Sequence, residues 1–132
     1  MNPVAIDIKD MLVADTDLGL NFGLNLHIGR EPSTPNNVVT IFDTPSRPPA
    51  IGVGLDIGYE YPSIQIRVRG TSYINAWQLM RKIQDSLHGR AYETMNGTLY
   101  TAIFCSTGPG ILDWDENNRI RLFINFEIQR RI

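Results

Sequence analysis

Between Ser63 and Leu87 the hydrophobic period changes from two to about 3.6 at a single glycine, and this switch constrains the fold more than any other feature. In Ser63–Arg69 the apolar residues Ile64, Ile66 and Val68 alternate with Gln65, Arg67 and Arg69, the pattern of a strand with one buried face. After Gly70 the residues Ala76, Leu79, Met80, Ile83 and Leu87 form a helical stripe; Thr71 or Ser72 can cap its start, and Gly89 is placed to end it. A strand that leads directly into an amphipathic helix requires a sheet with a helix packed on one face.

The flanking sequence extends this plan. Pro3 suits a first helical position and Asn2 an N-cap, with Val4, Ala5, Ile8, Met11 and Leu12 on one face of the helix that follows. Asp15–Gly23 reads as a connection anchored by Leu18, Leu20 and Phe22. Leu24, Leu26 and Ile28 alternate as a strand, and Asn37–Phe42 is a second, β-branched run that pairs with it. Residues 43–62 carry Pro45, Pro48, Pro49, Gly52, Gly54, Gly58 and Pro62, which predicts a long loop or arm with little regular structure. Thr98–Cys105 is a further strand, ended by Gly108-Pro109-Gly110. Arg119–Gln129 alternates again, with Ile120, Leu122, Ile124, Phe126 and Ile128 inward. The expected fold is therefore α+β: a single domain over 1–132, a mostly antiparallel sheet, two helices on one face and the Pro/Gly-rich arm at 43–62.

Several functional classes lose support on their own chemistry. One cysteine, Cys105, excludes an internal disulfide and a cysteine metal cluster. Twelve Lys and Arg against fourteen Asp and Glu provide no global basic field for nucleic acid. No apolar run is long enough for a membrane span, and the start lacks the order of a signal peptide, so synthesis in cytoplasm is expected. Gly52–Gly58 looks superficially like a dinucleotide loop, but the third glycine is late and a strand follows where a helix is needed. Asp113, Asp115 and Asn117 match half of a calcium loop, yet Asn118 and Ile124 stand where glycine and a bidentate Glu are required. His27 on a strand and His88 at a helix end lack partners at metal-ligand spacing, and no nucleophile motif is present. The expectation is a chain that is not an enzyme, with no catalytic residue, metal or cofactor.

The arginines are more informative, because only Lys9 and Lys82 of the twelve basic residues are lysine. Arginine favours paired contacts between surfaces. Arg67 and Arg69 share the polar side of one strand; Arg119 and Arg121 share that of another, continued by Asn125 and Glu127. These six are candidates for a subunit interface or a lumen-facing surface.

The block Tyr61-Pro62-Ser63-Ile64-Gln65-Ile66-Arg67-Val68-Arg69-Gly70, followed by Tyr73 and a helix closed by Leu87-His88-Gly89, resembles the minor capsid and tail terminator family of long-tailed bacteriophages. Gly108-Pro109, the acidic turn Asp113–Asn118 and the strand to Gln129 extend the resemblance over about Tyr61–Arg131. It implies a virion protein, assembled in the host cytoplasm, that forms a ring, commonly a hexamer, at the head-proximal end of the tail tube. Such a ring stops tube polymerisation and joins the head connector. Its partners would be copies of itself, the tail tube protein and the connector, with DNA only as passing cargo and no membrane. Under this reading Arg47, Leu55 and Tyr59 of the arm and Asp113, Trp114, Asp115 and Glu116 of the turn are candidate axial contacts. The competing readings are another neck or head-completion protein, a metal-dependent nuclease using Asp113, Asp115 and Glu116, and a DNA-binding module on the arginine face.

Overall fold

The computed structural model describes residues 1–51 and 58–132. Its elements are helix α1 (Val4–Ala14), strands β1 (Leu26–Ile28), β2 (Val38–Ile51) and β3 (Gly58–Gly70), helix α2 (Tyr73–Leu87), and strands β4 (Glu93–Met95), β5 (Thr98–Trp114) and β6 (Ile120–Arg131). The strands form one sheet in the order β1-β2-β3-β6-β5-β4. All neighbours are antiparallel except β1 and β2, which run parallel. The α+β fold with two helices is the one the periodicity requires.

Alternation decides which face is buried. Ile64, Ile66 and Val68 of β3, Val39 and Ile41 of β2, and Ile120, Leu122, Ile124, Phe126 and Ile128 of β6 are all buried, in one core with both helices. Helix α1 contributes Val4, Ala5, Ile8, Met11 and Leu12; α2 contributes Ala76, Met80, Ile83 and Leu87. Fully burying side chains of this size stabilises by roughly 1.5–3 kcal/mol each relative to exposure, so the core is the main source of stability.

The ends of the helices differ from each other in how they are made. Ser72 caps α2 by accepting from the Asn75 N–H at 3.3 Å, and Gly89 follows with φ +90°, where a glycine is least strained. At α1 the N-cap position belongs to Pro3, not Asn2, and no side chain caps it; Asn2 instead donates through Nδ2 to Asp7 Oδ1 at 3.2 Å. Asp7 lies on the buried face, and satisfying its carboxylate takes precedence over capping.

Three further expectations are corrected. The segment 43–62 is not an irregular loop: β2 runs on to Ile51 and β3 begins at Gly58, so the described parts of this arm form an antiparallel ribbon. Its prolines are tolerated because the register shifts between Thr44 and Arg47 and again between Arg47 and Ala50, and β2 beyond Ile41 carries no strand of the described residues on its outer side. Gly108-Pro109-Gly110 does not end a strand either, since β5 passes through it with similar register shifts and stops only at Trp114. Finally, Leu24 stands outside β1 and is exposed, because Leu24 and Asn25 close a turn onto Asn21 O.

Candidate assembly surfaces

The face of the sheet turned away from the helices is arranged in rows across β2, β3, β6 and β5. One row is Val38, Arg69, Arg121 and Asp113; the next is Thr40, Arg67, Phe123 and Gly110; then Phe42, Gln65, Asn125 and Thr107. The alternation that buries the isoleucines on one face places these residues on the other.

Most of the arginine charge in this region is neutralised within the chain. Residues 29–37, which link the parallel strands β1 and β2, fold against the end of the sheet, and three arginines hold them there. Arg69 is 2% exposed and donates to Glu31 Oε1 at 3.1 Å and to the carbonyls of Pro32, Pro35 and Asn36. Arg119, immediately before β6, is also buried; it bonds Asp115 Oδ2 at 2.7 Å, Ser33 O at 2.6 Å and Asn36 Oδ1. Arg121 grips both carboxylate oxygens of Asp113, at 2.6 and 2.8 Å, and reaches Glu31 at 3.3 Å. These carboxylates raise the Arg121 pKa above its usual value, Asp113 first.

Further along the face the side chains are freer. Arg67 donates through Nε to Gln65 Oε1 at 2.7 Å and lies over the Phe42 ring, 4.6 Å from its centroid. Gln65 in turn donates to Asn125 Oδ1 at 3.1 Å. Glu127 is exposed, with no ion pair among the described residues, and it borders a groove of about 420 Å³ that Pro45, Arg47, Tyr61, Ser63 and Phe104 also line.

The candidate axial residues fall into two groups at opposite ends of the sheet. Arg47 stacks on Tyr61 at 3.6 Å and Tyr59 lies opposite Arg131, both at the arm end; Leu55, with the glycine-rich run around it, lies outside the described residues. At the other end, Asp115 shapes the β5–β6 turn: its Oδ1 accepts from the Asn117 and Arg119 N–H groups at 2.9 and 2.8 Å. Burial works to raise the Asp115 pKa, but the N–H and guanidinium of Arg119 and the N–H of Asn117 together bring it below the usual value. Asp113 and Asp115 are held by arginines, while Trp114, Glu116, Asn117 and Asn118 are exposed without an arginine partner among the described residues.

The sequence reading did not single out two further features. Ile111 and Leu112 of β5 are exposed, as are Tyr73, Ile74 and Trp77 on the outer face of α2; a pattern reading tuned to buried stripes passes over apolar residues off the stripe. The second feature is a buried polar network in which the Tyr100 hydroxyl donates to Asp7 Oδ2, Arg130 donates to the Tyr100 oxygen, the Asn2 carbonyl and Glu60, and Asn96 donates to Asp7 and Asp10. Its only sequence signal is an aspartate on the apolar face of α1.

A family profile described as "Bacteriophage tail terminator protein" matches residues 6–132. The chain belongs to the bacteriophage tail terminator family. It is thus a structural protein of the phage virion and works alongside other tail and head components. Among solved structures, a chain from the virion of a native gene transfer agent particle is similar in fold, with a TM-score of 0.71 at 12% identity over 98% of this chain and 95% of that one. No curated protein matches the terminator chain in sequence.

Proposed function

We propose that the protein is the ring subunit that ends the tail tube at its head-proximal end, stops tube polymerisation and presents a second surface to the head connector. A tail terminator must meet different partners above and below, and one observation carries the assignment. The arm and the β5–β6 turn lie at opposite ends of β3, from Tyr59 opposite Arg131 to Gly70 opposite Ile120. At ~3.3 Å per residue this separates the two ends by roughly 36 Å, enough for two independent axial contacts. Arg47 and Tyr59 belong to one end, Trp114 and Glu116 to the other.

The charge distribution supports DNA as cargo and not as a gripped ligand. Arg69, Arg119 and Arg121 are paired with Glu31, Asp115 and Asp113, so the face away from the helices offers Arg67 and Glu127 in near balance. The same pairing weakens the nuclease reading, because two of the three carboxylates it needs, Asp113 and Asp115, are engaged by arginine. In this reading Arg67, Asn125 and Glu127 serve contacts between subunits.

The test is tube assembly from purified tail tube protein with and without the terminator, scored by tube length in negative stain. Terminator addition should give short tubes of fixed end structure, and Trp114→Ala combined with Glu116→Ala should abolish either capping or connector binding while leaving the other intact. Tubes of unchanged length with the wild-type chain, or loss of both contacts in the turn variant with its fold preserved, would overturn the assignment.

A further inference from the structure

The sheet has two uncovered edges, and they are offset diagonally. On the outer side of β2, β1 covers Val39–Ile41, and no strand of the described residues covers the stretch from Phe42 to Ile51. On the outer side of β5, β4 covers Thr98–Tyr100, and the segment after α2 takes up the next donors. Ile103 N–H reaches Arg90 O and Cys105 N–H reaches His88 Nδ1, each at 2.9 Å. From Ser106 to Trp114 no strand of the described residues lies beyond β5.

These two stretches are matched in direction. β2 and β5 are separated by three antiparallel steps through β3 and β6, so they run oppositely within one copy. Two copies in the same orientation, as a rotational ring demands, therefore bring β5 of one beside β2 of the next as an antiparallel pair.

The offset also has a useful size. The middle of the open β2 stretch is Arg47, opposite Tyr61, while the middle of the open β5 stretch is Gly110, opposite Phe123 and, through it, Arg67. Bringing the two middles together slides one sheet by six positions, ~20 Å, for every four strands, ~19 Å across. That ratio corresponds to strands tilted by roughly 45°, at the upper end of the ~35–45° at which sheets close on themselves.

The side chains on the β5 stretch are those of a covered edge. Ile111 and Trp114 are each 56% exposed and Leu112 is 38% exposed, there is no lysine, and the one charge, Asp113, is already paired. A solitary edge is normally blunted by charge. Pro45, Pro48, Pro49 and Pro109 remove donors at fixed places, which narrows pairing to a neighbour whose gaps correspond.

We infer that the β2 arm of one copy seats against the Ser106–Trp114 edge of the next, below β4, joining the sheets edge to edge around a closed ring. This rests on the ring reading above and supplies its contact. With Arg47 opposite Gly110, antiparallel pairing puts Ser46 of one copy beside Ile111 of the next.

The test uses the full chain with Cys105→Ser, carrying Ser46→Cys and Ile111→Cys together or singly, under mild oxidation. The double variant should give a ladder of cross-linked copies ending in one closed species, and either single variant should lose everything above the dimer. Leu112→Glu should lose assembly while keeping the wild-type unfolding temperature. A chain that assembles by light scattering, yet gives no ladder and tolerates Leu112→Glu, overturns the edge pairing and leaves the ring reading standing. A chain that stays monomeric both alone and with tube protein overturns both.

Discussion

Replacing Arg69 by Met measures how firmly the 29–37 link is tied to the sheet. The guanidinium is enclosed, makes an ion pair with Glu31 at 3.1 Å and donates to three backbone carbonyls. Removing one partner of a buried pair typically costs about 3–5 kcal/mol. Two features place this case at the low end: Glu31 keeps Arg121 at 3.3 Å, and Ser33–Asn37 are exposed enough for the orphaned carbonyls to find water. A loss of about 3 kcal/mol follows. For 132 residues at ~2.1 cal/mol/K each, the entropy of unfolding is ~0.28 kcal/mol/K, so the midpoint of thermal unfolding should fall by about 11 °C. Far-UV circular dichroism reads this directly. Adding Glu31→Gln to Arg69→Met should cost less than the two single losses summed, because both changes remove the same Arg69–Glu31 pair. A fall below about 3 °C for Arg69→Met would refute the claim that this side chain anchors the link.

Other outcomes follow from the same structure. Burial and the Asp7 acceptor raise the Tyr100 pKa above the ordinary tyrosine value, with Arg130 opposing. Its contribution to stability is thus complete below about pH 10 and lost only as pH rises through the raised folded value. In an ultraviolet titration Tyr100 should stay protonated above the ordinary tyrosine range, and this late step should vanish in Tyr100→Phe. Asp115 has the opposite sign. Its lowered pKa stabilises above the unfolded value near ~3.9 and is lost as pH falls through the folded one, so Asp115→Asn should differ from wild type at pH 7 and the difference should shrink as pH falls below the usual carboxylate range. Gly70→Ala puts a methyl 2.9 Å from Asn37 Oδ1, which accepts weakly from the Thr71 N–H. A loss of about 1 kcal/mol in urea unfolding is expected, and an unchanged midpoint would show that Asn37 moves freely.

The elements legible in the sequence are those whose periodicity is long and uninterrupted. β3, α2 and β6 each bury one clean face, so Ile64–Val68, Ala76–Leu87 and Ile120–Ile128 announce their own geometry. β4 has three residues and no alternation to read. The far halves of β2 and β5 were hidden by Pro45, Pro48, Pro49 and Pro109, which weigh against a strand by propensity but are accommodated where the register shifts. The parallel pairing of β1 with β2 depends on the 29–37 link, and the groups that fasten it are remote in sequence: Arg119 bonds Ser33 across 86 positions. For the same reason the arginine alternation was visible in the sequence, but the partners of Arg69, Arg119 and Arg121 were not. Long-range pairing, and not local preference, determines which of those charges stay available.

The placement of the arm and the turn at opposite ends of β3 and β6 also sets how the subunit bears force. A pull between the two ends runs along these strands, while the hydrogen bonds between antiparallel strands lie across them. The bonds of the β3–β6 ladder are therefore loaded together in shear, not opened one by one, and the helices lie outside the load path. The sheet is a tie rod between whatever binds above and whatever binds below.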